Sequence, residues 1–128
     1  MVTRINVVPV EELTRQHLIA EYRELPRIFG LIRAAIARGE RPDDRRNPLT
    51  YTLGTGHVRF FYNKVNWLAI RFRLLVADMD RRGYKATYRI PPTHGLPFRN
   101  EWNVIYRPTE ADLALNRQRI FDRLQNSS

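Results

Sequence analysis

Apolar residues recur at steps of three and four in three places along this chain. Leu18, Tyr22, Leu25, Phe29, Ile32 and Ile36 trace one stripe, which predicts a long helix ending near Gly39. Pro26 falls inside it, removing one backbone donor and crowding the preceding turn, so a kink is expected there rather than a break. Val65, Leu68, Phe72, Leu75, Val76 and Met79 form a second stripe, with Arg81 and Arg82 in its last turn and Gly83 placed to cap it. A third begins at Thr109, where Thr109-Glu110-Ala111-Asp112 has the form of a capping box with Asp in the Glu position. Leu113, Ile120 and Leu124 continue it.

The intervening residues, 40–63 and 84–108, lack a helical period, and the second stretch holds Pro91-Pro92, Pro97 and Pro108. Connections of this length inside a domain usually carry function. Tyr51-Thr52-Leu53 and Asn103-Val104-Ile105-Tyr106 could form short strands. The expected architecture is therefore all-α: a three-helix single domain over residues 1–128 with long irregular loops.

Composition narrows the function. The chain has no cysteine, which removes disulfides, thiolate zinc sites and cysteine nucleophiles. No apolar run approaches the roughly 20 residues of a membrane span, and no secretion signal opens the chain, so a cytoplasmic, nucleoid-associated protein without a membrane partner is expected. The formal net charge is +9, and of 22 lysines and arginines only Lys64 and Lys85 are lysines. Codon bias in a GC-rich genome explains an arginine excess as well as selection does. The net charge itself points to a polyanion, bound with an affinity that falls with salt, and guanidinium forks suit phosphate.

On the first helix His17, Ala20, Arg23, Glu24 and Arg27 fall off the apolar stripe, and Glu24 shares its side with His17 and Ala20. Taken alone, Glu24 reads as a solvated glutamate paired weakly with Arg27. Gly54-Thr55-Gly56 lacks the spacing and the Lys-Ser/Thr of a phosphate loop and reads as a turn. His57 reads as a packed residue. No metal site and no cofactor are predicted, because the three histidines are scattered and no paired-carboxylate motif accompanies them.

Thr3-Arg4-Ile5-Asn6, Gln16-His17-Leu18, Glu21-Tyr22-Arg23-Glu24-Leu25-Pro26-Arg27, Gly56-His57-Val58 and Phe60-Phe61-Tyr62 occur in an order that resembles the pyrimidine-dimer DNA glycosylases of the phage endonuclease V type. The resemblance runs from Thr3 to about Leu124. It implies a repair enzyme acting on double-stranded DNA with ultraviolet-induced pyrimidine dimers or abasic sites, working as a monomer, with Glu24 as catalytic glutamate. It also implies DNA contacts from Arg4, His17, Arg23, Arg27, Arg119 and Arg123. Alternatives are a DNA-binding module without catalysis and a glycosylase for another damaged base.

A glycosylase that also cuts the strand needs an amine for imine formation and β-elimination. Lys64, Lys85 and the α-amine are the candidates. An α-amine ordinarily has a pKa of about 8, against about 10.4 for lysine, so roughly 10% is uncharged at neutral pH, some hundred-fold more than for a lysine. By resemblance the attacking group is the amine of an N-terminal Thr, matched here by Thr3. Val2 stands between Met1 and Thr3, so the amine of Val2, displaced by up to ~3.5 Å, is the other form of the same expectation.

Overall fold

The predicted stripes on the first two helical segments are buried faces. The computed structural model describes residues 4–126, and among these it contains α-helices, short 3-10 turns and no β-strand. Helix α1 is Arg15–Glu24, α2 Pro26–Ala37, α3 Val65–Arg82 and α4 Glu110–Asn126. The all-α class thus holds, and the first predicted helix is divided at Leu25 into α1 and α2. Leu25 keeps helical angles (φ −56°, ψ −42°) and its N–H still donates to Glu21 O at 2.8 Å. Pro26 lacks the next donor and becomes the first residue of α2, a position where that donor is unneeded.

Local chemistry sets the other ends. Thr14 caps α1 by accepting the His17 N–H. At the end of α3, Gly83 adopts φ 83°, its N–H donates to Asp80 O, and the Tyr84 N–H donates to Met79 O at 2.8 Å, the paired bonds of a left-handed glycine cap. Thr109 and Asp112 make the reciprocal capping box, at 3.0 and 3.2 Å.

Leu18, Leu25, Phe29 and Ile32 meet Leu68, Phe72 and Leu75 in one core, with α1 packed on α3. Phe60, Phe61, Tyr51, His57, Trp67 and Tyr106 extend it as a mostly edge-to-face aromatic cluster. The third predicted helix, α4, departs from the stripe: its buried positions are the polar Asp112 and Asn116, while Leu113 and Ile120 are half-buried. Neither of the two suggested strands forms. Residue 103 makes a lone antiparallel bridge with Lys64, and the Val104 N–H donates to Asn63 O at 2.8 Å. With no further strand alongside, that pairing does not extend into a ladder.

Candidate active site

One face of α1 carries His17, Ala20, Glu21 and Glu24, the i, i+3, i+4, i+7 positions of a single side. Arg4 and Asn6 from the N-terminal segment, Gln16, and Arg119 and Arg123 from α4 close around that face to form a cavity of about 220 Å³. The structure therefore brings together five residues predicted from sequence: Arg4, His17, Glu24, Arg119 and Arg123. Val2 and Thr3 lie outside the described residues.

The two carboxylates of this face differ. Glu21 is buried and takes a bidentate ion pair from Arg71, at 2.7 and 2.9 Å, while Asn6 donates to it at 2.9 Å. Its oxygens are held in a structural pair. Glu24, one turn on, keeps 17% of its side chain exposed at the mouth of the cavity and pairs with Arg27 at 2.8 Å. The expected Glu24–Arg27 pair is present, but the glutamate is sheltered rather than solvated.

The cations of the cavity are crowded. Arg119 donates to Asn6 Oδ1 at 2.9 Å, and its Nε is buried with no hydrogen-bond partner among the described residues, as is Arg4 Nη1. Burial, together with the nearby Arg4 and Arg123 charges, holds the Arg119 guanidinium below its ordinary pKa. Burial first, and then Arg119 and Arg123, lower the His17 pKa below 6.5, so its imidazole is neutral near pH 7. His17 Nδ1 lies 3.0 Å from Thr14 Oγ1, which ties the ring to the helix cap.

Arg23 and Arg27 are not among the lining residues. Arg27 reaches Glu24 from outside, 58% exposed. Arg23 lines a second cleft of about 550 Å³ on the opposite face of α1, with Arg15, Lys85, Tyr22, Tyr84 and Tyr88. The Tyr22 hydroxyl closes that cleft, donating to Tyr88 O and accepting from Tyr88 N–H, both at 2.8 Å. Lys64 is 6% exposed. Its ammonium donates to Phe60 O at 2.8 Å and to Asn63 Oδ1 at 3.0 Å, and it sits 3.9 Å from the Phe60 ring centre. Burial lowers its pKa to about 8. His57 packs as expected, 1% exposed, and burial lowers its pKa to about 4.

Sequence reasoning did not assign Gln16, Glu21 or Asn6 to the site. Glu21 could have been found, since it shares the helix face of His17 and Glu24. Asn6 could not, because its neighbour Arg119 is 113 residues away.

A sheltered carboxylate thus stands among the guanidiniums of Arg4, Arg119 and Arg123, an arrangement whose chemistry suits an anionic ligand with an acid beside it. The chain belongs to the pyrimidine dimer DNA glycosylase family, whose sequence profile matches residues 2–91. The match covers α1 to α3 and every lining residue except Arg119 and Arg123, which α4 adds from outside it.

Proposed function

We propose that this protein cleaves a glycosidic bond at cyclobutane pyrimidine dimers in ultraviolet-damaged double-stranded DNA and then cuts the strand at the resulting abasic site. The N-terminal amine, of Thr3 or Val2, attacks C1′ of the damaged nucleotide, and the glycosidic bond breaks with its electron pair leaving on the base. The sugar ring opens to an imine, loss of a C2′ proton expels the 3′ phosphate, and hydrolysis frees the amine. Glu24 moves the protons and stabilises the cationic intermediate. Arg4, Arg119 and Arg123 hold phosphates, Arg23 and Arg27 grip the strand on either side of α1, and His17 stays neutral to orient the sugar.

The observation that carries this reading is Glu24, 17% exposed, lining a cavity walled by Arg4, Arg119 and Arg123. The lysines support it indirectly, one buried against an aromatic ring and the other in the opposite cleft. That second cleft, aromatic and basic, is large enough for a base displaced from the bent duplex.

Borohydride reduction on abasic DNA tests the mechanism, because an amine-derived imine is reducible and a water-attack intermediate is not. A covalent complex mapping to the N-terminal peptide is expected. Label on Lys64 or Lys85 alone would overturn the amine assignment, and binding without trapping or nicking would leave a damaged-DNA-binding module.

A further inference from the structure

Residues 5–8 are buried yet belong to no helix or strand, so their buried backbone groups must find partners elsewhere. Side chains supply them. Tyr51 donates to Ile5 O at 3.2 Å, His57 Nε2 accepts the Ile5 N–H at 2.8 Å, and Arg71 Nη1 donates to Val8 O at 2.6 Å. Asn116 makes the densest set: its Oδ1 accepts both the Val7 and Val8 N–H groups, at 2.6 and 3.1 Å, and its Nδ2 donates to Asn6 Oδ1 at 2.8 Å. It is fully buried on α4, beyond the family-matched residues.

Three of the amide's hydrogen-bonding positions are thus used on three consecutive residues of one segment, Asn6, Val7 and Val8. Asn6 passes the restraint on to Glu21, on the same helix face as Glu24. Two residues before Asn6 the chain reaches Arg4, a wall of the cavity. We propose that Asn116 is a positioning residue, which locks the register of residues 6–8 and thereby anchors the segment that carries Arg4 at the Glu24 cavity and leads back to the N-terminal amine. The inference rests on the amine mechanism proposed above. Its physical basis is that a nucleophile carried on a free chain end is oriented only as well as the nearest anchored residues, and misplacement by about 1 Å can cost on the order of 100-fold in rate. An alanine would leave the Val7 and Val8 N–H groups without their partner and Asn6 Oδ1 with its Arg119 bond alone, freeing the segment to shift.

The test is single-turnover borohydride trapping on abasic DNA, with DNA affinity and thermal midpoint measured on the same preparations. Asn116→Ala is expected to slow trapping by about 10- to 100-fold, with DNA affinity nearly unchanged. Leu113→Ala, an apolar truncation one turn earlier on α4, loosens the same helix and is expected to trap at close to the parental rate. Asn116→Ser keeps a shorter acceptor and is expected to fall between, and it provides the reading should Asn116→Ala not fold. Parental trapping rates in both Asn116 variants, or equal slowing by Leu113→Ala, would overturn the inference while leaving the amine mechanism intact. A parent protein that is never trapped at its N-terminus would overturn both.

Discussion

Around Glu40, three guanidiniums converge on one carboxylate: Arg38 at 2.7 Å, Arg59 at 3.1 Å and Arg46 at 3.4 Å. Around Glu24 the count of neighbouring arginines is similar, yet the chemistry differs. Arg38 and Arg59 each place their guanidinium on Glu40, and Arg46 makes two further bonds to Asp44. Hydrogen bonds from Arg59 and then Arg38 hold the Glu40 carboxyl below its usual range. That cluster is a fastening for the loop after α2. At the cavity, Arg4 Nη1 and Arg119 Nε are buried with no partner among the described residues, beside a carboxylate that keeps a path to solvent. A cluster of arginines and acids is therefore diagnostic less through its composition than through its placement, here on neighbouring carboxylates at Glu40 and around a cavity at Glu24.

The sharpest way to break this comparison is to neutralise each carboxylate in turn. Glu24→Gln should lower base excision from irradiated DNA by about 10²- to 10⁴-fold while damaged DNA is still bound, and Glu40→Gln should leave excision per folded molecule unchanged and lower only the melting temperature. A Glu40→Gln enzyme as inactive as Glu24→Gln would erase the distinction.

Removing the arginines gives a smaller effect. Arg119→Ala and Arg4→Ala should each weaken DNA binding and reduce the slope of log affinity against log salt by about one, as expected for one lost phosphate contact. Arg46→Ala should leave that slope as it was. Equal slopes for all three variants, measured by salt titration of binding, would show that the cavity arginines do not meet phosphate.

Acid gives the gentlest test, through His57, which holds the segment leading to the cavity, and through Glu40. His57 holds the Ile5 N–H only when Nε2 is unprotonated, and its pKa in the fold is lowered to about 4. The unfolded chain binds that proton near pH 6.5, so the contribution of His57 is complete above pH 6.5 and is lost as pH falls toward 4, by up to ~1.4 kcal/mol per pH unit. The Glu40 carboxyl, also lowered, contributes fully above its ordinary 4.5 and loses that contribution only below it. Melting temperatures recorded from pH 7 to 3 should therefore fall in two windows. His57→Gln should flatten the upper one, and Glu40→Gln the lower.

How far the site could be read from sequence depends on which residues share a helix. His17 and Glu24 were legible because 3.6-residue periodicity places them on one side of α1, away from Leu18, Tyr22 and Leu25. The same reasoning gave the caps at Gly83 and Thr109, where a few neighbouring residues satisfy the last backbone groups. It failed at α4, whose buried positions are Asp112 and Asn116. Periodicity counts apolar residues, whereas this helix docks through hydrogen bonds to a segment that belongs to no helix or strand.

The separation between Arg27 and the arginines that line the cavity was likewise hidden. Arg4, Arg27, Arg119 and Arg123 are chemically alike, and what distinguishes them is which face each one meets after folding. By itself the sequence determined the local elements, the polyanion-binding charge and, through ordered motifs, the family. Tertiary structure alone decided that Asn6 would meet Asn116 and Arg119, 110 and 113 residues away, and that Glu21 would be consumed by Arg71 while Glu24 stayed at the cavity mouth. Helix period and capping are satisfied within a few residues of chain, whereas the partners of a buried polar group depend on how whole elements pack and on which donors that packing has already taken.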